Sequence, residues 1–326
     1  MSSLVPVVTS SPFTKTVVGA MKKLYPEALA DKSFDNTGLL LEAPYRPNNT
    51  ALAKSALLTI DLTKAVAEEA IKGKYSIVIA YHPIIFRALK AITLSNTQQN
   101  TLLRLASEGI SVYSPHTAVD AAPGGLNDWL ADVITGLDAK TKTGEIISHT
   151  RKIINPVPGL DNLAADFSSS GYGRIVTFTT PQTLGGLVQR VIKGTYTESI
   201  ESNLTGNSVS VAVPQTCVQG QRSGIEIRTV GICAGSGGSI LNGLDVDLLL
   251  TGELSHHEAL AAIEAGRCVI TTCHSNSERA YLEERMKPAL KRKIKEELNS
   301  DDLFSVDVSK YDRDPYSAIV PTNLDW

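Results

Sequence analysis

The chain has 326 residues, 42 % hydrophobic and 20 % charged, the balance of a globular protein that can bury a core without disulfides or structural metal. Thirty-one basic against 34 acidic residues leave a net charge of −3, which argues against tracking of a phosphate backbone, so nucleic acid is not an expected partner. Four scattered cysteines without a C-x-x-C pair exclude a disulfide scaffold, a zinc ribbon and a thioredoxin-like site. No apolar run reaches the length of a spanning helix, so no membrane is expected. The cysteine usage favours a reducing compartment and a cytoplasmic protein. The first 26 residues, with Lys15, Lys22 and Lys23 and no acid, leave a mitochondrial location open.

In chain order, Thr14–Tyr25 carries Val17, Val18, Met21 and Leu24 at helical spacing. A turn from Phe34 enters a strand near Gly38. Lys54–Asp61 reads as a buried strand ending in a carboxylate, and Thr63 caps a helix running to Lys72. Ser76–Ala80 is a second buried strand, ending at Tyr81-His82-Pro83. Gln98–Glu108 is a helix, Ile110–Ser114 a strand ending at Pro115-His116, and Ala121–Ile134 a single helix opened by Pro123. From Thr135 to Arg222 Gly, Ser and Thr are dense, with short alternating strands at Arg174–Thr179 and Val209–Val213 around a helix at Thr183–Ile192. Then come strand Glu226–Ala234, glycine turn Gly235–Gly238, short helix Ser239–Leu244, strand Val246–Thr251, helix Ser255–Ala265 and strand Cys268–Thr272. A long helix, Ser277–Asn299, and a strand, Asp302–Ser309, close the chain. The alternation predicts an α/β fold of two intertwined α/β lobes with mixed sheets plus a smaller central α/β segment, divided as 1–134, 135–222 and 223–326.

Five of the six histidines (His82, His116, His256, His257, His274) follow a predicted strand, where α/β sheets bind ligands, and His149 is the exception. His274 and Glu278, at i and i+4, share a helical face if a helix begins at His274, and an imidazole beside a carboxylate suits Zn²⁺, Fe²⁺ or Mn²⁺. The same residues also read as a helix start capped by Ser275, Asn276 or Ser277. His116 and Asp120 repeat the spacing, with an Asx turn before Pro123 as the alternative. His82 is held by the fixed backbone of Pro83, with a buried structural histidine as the alternative. Together His82, Asp120, His274 and Glu278 supply two imidazoles and two carboxylates for one or two divalent metal ions, and a carboxylate such as Asp120 can bridge two. Glu253, His256 and His257 follow another strand. His256 and His257 point to different faces, so at most one reaches a common centre, to orient a ligand or move a proton; a solvated helix start is the alternative. Gly235–Gly238 is no dinucleotide fingerprint, since the third glycine position falls on Ile240. No P-loop or G-x-S-x-G is present. Cys273 beside His274 is not taken as a nucleophile pair, because adjacent side chains point apart.

Asp35-Asn-Thr-Gly-Leu39, Tyr81-His-Pro-Ile-Ile-Phe86, His116-Thr-Ala-Val-Asp-Ala-Ala-Pro-Gly-Gly125, Gly171-Tyr-Gly-Arg174, Gly235-Ser-Gly-Gly238, Thr251-Gly-Glu253 with His256-His257, and His274-Ser-Asn-Ser-Glu278 occur in an order and spacing that resembles the Ngg-interacting-factor-three-like family. Some of its members carry the label GTP cyclohydrolase type 2-like. The likeness runs from about residue 15 to the C-terminus. It implies two intertwined α/β domains, a dinuclear metal site built from both ends of the chain, and homo-oligomers that are ring-like hexamers in bacterial relatives. By motif position His82 is the second histidine of the family's His-His-Pro element, Asp120 the bridging aspartate, and His274 and Glu278 the last ligand pair. The first histidine of that element is Tyr81 here, a poor neutral ligand. One of two metals would then be weaker, differently ligated or absent.

Two functions follow. In the first, metal held by His82, Asp120, His274 and Glu278 activates water in a hydrolase, and Glu253, His256 or His116 moves protons. The sequence names no substrate, and nothing in it reads guanine or triphosphate. In the second, the chain is a non-enzymatic metal-binding or interaction protein, a metal chaperone or a transcription-factor partner.

Overall fold

A computed structural model describes residues 9–45, 52–138, 146–197, 209–218, 220–298 and 302–316. In chain order it contains α1 (Pro12–Leu24), β1 (Gly38–Leu41), β2 (Ser55–Thr59), α2 (Lys64–Lys72), β3 (Ile77–Ala80), α3 (Thr97–Glu108), β4 (Ser111–Ser114), α4 (Thr117–Ala121) and α5 (Leu126–Thr135). Next are β5 (His149–Pro156), β6 (Gly171–Thr183), α6 (Leu184–Thr195), β7 (Ser210–Ala212), β8 (Glu226–Ser236), α7 (Gly238–Leu241) and β9 (Leu248–Glu253). Last are α8 (His256–Glu264), β10 (Cys268–Thr271), α9 (Arg279–Tyr281), α10 (Lys287–Glu297) and β11 (Ser305–Val308). Side-chain oxygens start the main helices by taking otherwise unbonded backbone N–H groups. Ser11 caps α1, Thr63 caps α2 and Asn96 caps α3. Ser255 and Glu258 form a reciprocal capping box on α8.

Three elements differ from expectation. The helix expected at Ala121–Ile134 is two, α4 and α5, parted by the Pro123-Gly124-Gly125 turn. Any side chain at Gly125 would collide with the Val119 carbonyl, so the bend needs glycine. The helix expected at Ser277–Asn299 is a 3₁₀ turn at Ser275–Ser277, then α9, a π-helical stretch at Leu282–Met286, and α10. Pro288 at the start of α10 has no N–H for the ladder, which accounts for the change of register before it. Asn299 lies outside the described residues. In the central stretch, β6 is 13 residues long rather than short, and it pairs with β5, which the sequence did not announce.

The chain forms two compact units, 1–118 with 282–312 and 119–281 with 313–326, so it passes between them more than once. The first holds a five-stranded sheet in the order β1-β4-β3-β2-β11, parallel except for β1. Strands β2, β3 and β4 are buried at every residue, as expected of parallel strands covered on both faces. Leu57, Val66, Val78, Leu105 and Val112 are the centre of that core.

The second unit holds a six-stranded mixed sheet in the order β5-β6-β8-β9-β10-β7. Strands β8, β9 and β10 are parallel, and the other pairs are antiparallel. Residues 135–222 therefore build no separate sheet among the described residues: β5, β6 and β7 share one with β8–β10, and the boundaries drawn at 134 and 222 do not divide the sheets. Arg174 of β6, only 2 % exposed, donates from Nε and Nη2 to the two carboxylate oxygens of Asp128 on α5, and from Nη1 to the carbonyls of Gly171 and Gly173. No described helix is long and apolar enough to cross a membrane.

Candidate functional site

The first sheet has four parallel strands side by side and the second has three, and ligands of α/β sheets gather beyond such carboxyl ends. In the first unit Asp61, His82 and His116 follow β2, β3 and β4. His82 Nδ1 donates to Asp61 Oδ1 at 2.9 Å, and its backbone N–H to the Ile60 carbonyl. His116 Nδ1 donates to Asp35 Oδ1 at 2.7 Å. The Asp35 side chain is wholly buried and also accepts from the Thr117 amide and hydroxyl. Burial raises the Asp35 carboxyl, but the hydrogen bond and charge of His116 and the bonds from Thr117 hold it below the ordinary range. The His82 and His116 rings meet edge to face with centroids 5.6 Å apart. The buried Tyr81 ring lies 5.0 Å from His82 and 5.6 Å from His116, so it packs the cluster. His116 has φ +33°, the strained backbone that functional sites often hold.

The second unit repeats the arrangement. Glu253 ends β9, His274 follows β10, and His274 Nδ1 donates to Glu253 Oε1 at 2.8 Å. The i, i+4 pairing expected of His274 and Glu278 is present: Nε2 lies 3.6 Å from Oε1, and the Glu278 side chain is 2 % exposed. A 3₁₀ turn makes it rather than an α-helix. Ser277 Oγ donates to the His274 carbonyl and accepts from the Gly235 amide. Gly235 has φ +61°, and a Cβ there would come 2.8 Å from Glu278 Oε1 and 3.1 Å from His274 Nε2; only glycine leaves both groups their room. Asp120 sits on α4, where its carbonyl accepts from Asn127 Nδ2, while Asn127 Oδ1 accepts from the Ala234 amide on β8. Burial, then the charges of Asp120 and Glu278, push the Cys233 thiol up. The Cys273 thiol is raised by burial, then by Asp314 and Glu253, the opposite of an activated nucleophile. His256 is the first residue of α8, exposed, its ring edge-on to His257 at 5.2 Å.

A carboxylate only accepts, so Nδ1 of His82, His116 and His274 carries a proton, and Nε2 is the ring nitrogen left to carry a lone pair. Sequence reading passed over the hydrogen bonds of Asp35 and Asp61 to these rings, and it offered the Glu253 stretch either for orienting a ligand or for moving a proton. One signal was there: Asp61–His82 and Glu253–His274 have the same 21-residue spacing, each spanning a nine-residue helix capped by Thr63 or Ser255.

Comparison with known proteins agrees with this architecture. Protein NIF3 homolog of Schizosaccharomyces pombe is 46 % identical over 304 residues, 92 % of this chain and 95 % of that protein. NGG1-interacting factor 3 of Saccharomyces cerevisiae is 39 % identical over 311 residues, covering 93 % and 96 %. Among solved structures, Staphylococcus aureus hypothetical protein SA1388 aligns with a TM-score of 0.69 at 21 % identity, covering 93 % of this chain and 98 % of that one. Reduced HcgD from Methanocaldococcus jannaschii aligns with a TM-score of 0.60 at 19 % identity, covering 93 % and 98 %. These two likenesses establish the fold. The model of the family Duf34/NIF3 (NGG1p interacting factor 3) matches residues 13–315, and with relatives this similar along nearly its whole length the chain belongs to that family.

Proposed function

We propose that the chain holds divalent metal, zinc, iron or manganese, on His82, Asp120, His274 and Glu278, and works as a metal-dependent hydrolase. His82, His274 and Glu278 each offer one ligand atom. The observation that carries the reading is the treatment of the two imidazoles: a carboxylate takes Nδ1–H of each, Asp61 for His82 and Glu253 for His274, which leaves Nε2 for a cation. The buried Glu278 carboxylate beside His274 Nε2 also fits, because a cation would offset the cost of burying its charge. Such an ion, when bound, lowers the pKa of water and neutralises negative charge that develops on the substrate. Asp61 and Glu253 keep the rings in register, and Gly235 keeps the space beside Glu278 open. His116, held by Asp35, is placed to take up a proton. Tyr81 gives its ring to packing, which favours one well-bound ion over two.

A second reading rests on the name of the Saccharomyces cerevisiae relative, an interacting factor of NGG1: the chain would bind metal and a protein partner without turnover. The proposal includes assembly with further copies of the chain and a cytoplasmic or mitochondrial location. Elemental analysis of the untreated protein tests the metal set. Wild type is expected to carry divalent metal and to lose hydrolysis of phosphoester, amide or nucleotide substrates on chelation. Asp120→Ala with Glu278→Ala is expected to carry none. Wild-type metal content in that variant sinks the ligand set, and metal without turnover selects the second reading.

A further inference from the structure

The turn Phe34-Asp35-Asn36 does three things in succession. Phe34 sets its ring at a tilt to that of Phe86, with centroids 6.3 Å apart. Asp35 orients His116. Asn36 Nδ2 donates to the carbonyl of Ile85, the residue before Phe86. The turn therefore ties the Phe86 segment and the His116 loop together. Phe86 in turn meets the His116 ring edge to face at 6.4 Å, and His116 meets His82 at 5.6 Å. A line of rings runs from the two phenylalanines to His82.

Phe34 is 53 % exposed and Phe86 46 %. Single exposed apolar side chains call for no explanation. Two adjoining aromatics beside an imidazole cluster, on segments joined by the Asn36–Ile85 hydrogen bond, supply the apolar contact and nearby polar groups from which small-molecule sites are built. We infer that Phe34 and Phe86 form a subsite for a planar apolar group, such as an aryl ring, carried by the substrate next to the bond that is cleaved. This rests on the metal-dependent reading above and adds the class of substrate to it. Burial of both rings against such a group removes the apolar surface that the protein otherwise leaves in water.

The test uses phenyl phosphate and inorganic phosphate, titrated calorimetrically into full-length protein with and without zinc. The same titrations are made with Phe34→Ala/Phe86→Ala, whose truncations lie at the surface and leave the fold intact. Zinc content and oligomeric state are measured alongside. Phenyl phosphate is expected to bind wild type about tenfold tighter than phosphate or better, the gain of burying one aryl group. In the variant the preference is expected to vanish with zinc content unchanged. Equal, zinc-dependent binding of both probes to wild type overturns the subsite alone. So does a preference that survives in the variant, including the case where only the oligomeric state changes, which would make this face a contact between copies. A preference seen without zinc and lost in the variant upholds the subsite. Binding of neither probe overturns the subsite, and zinc content at background overturns the metal reading.

Discussion

An imidazole becomes a dependable metal ligand when its second nitrogen is fixed, since the ring then has one tautomer and one orientation. His82 and His274 meet that condition through Asp61 and Glu253, whose side chains are 37 % and 54 % exposed. Asp61→Ala and Glu253→Ala are each expected to lower divalent-metal affinity about 10- to 100-fold. Stability should change by no more than about 0.5 kcal/mol, as for other surface truncations. Calorimetric metal titration beside urea unfolding checks both, and unchanged affinity would reduce the two acids to surface ion pairs. The strand-end histidines were legible as candidates because the buried runs before them are strongly apolar. Of the acids paired with them, Glu253 was a candidate but its pairing with His274 was not legible, nor was that of Asp61 with His82, because a carboxylate after a strand looks the same whether it faces water or a ring nitrogen.

At the level of elements, α5 is joined to β6 through Asp128 and Arg174. Burial raises the Asp128 carboxyl, but Arg174, the Gly124 amide and Arg151 outweigh it and hold the group below its ordinary range. A carboxyl depressed in the folded state adds stability above its unfolded pKa, and that share is lost as pH falls through the lower folded value. Stability is therefore expected to decline as the solution is acidified below about pH 4, and less so in an Asp128 variant. Asp128→Ala strands a buried guanidinium and should cost about 3–5 kcal/mol, read from the urea midpoint at neutral pH. Among the elements themselves, α2 and α8 were readable from their caps. The broken helices were not, since the turn at Gly125 and the π-helical stretch before Pro288 are single-residue steric events inside otherwise helical patterns.

For the whole molecule, the near balance of 31 basic and 34 acidic residues gives duplex DNA little to release counterions against. Fluorescence anisotropy with labelled duplex at about 150 mM salt is expected to show no saturable binding; tight, steeply salt-dependent binding would reveal a basic face that the totals conceal. The interleaving of the chain between two units was foreseeable from the return of strand–helix alternation after the central stretch. Its division was not. Residues 135–222 lack strong apolar runs, yet β6 pairs with both β5 and β8 and is drawn into the larger sheet.

By itself the amino-acid order determined the strands and helices between residues 12 and 114, the capped helix starts, and the delivery of histidines to strand ends. Those depend on contacts within a few residues and on apolar periodicity. Only the tertiary structure decided which acid meets which ring, as in Asp35 with His116, 81 positions apart, or Asn36 with Ile85, 49 apart. Sheet order and register bring such residues together, and no interaction between chain neighbours encodes either.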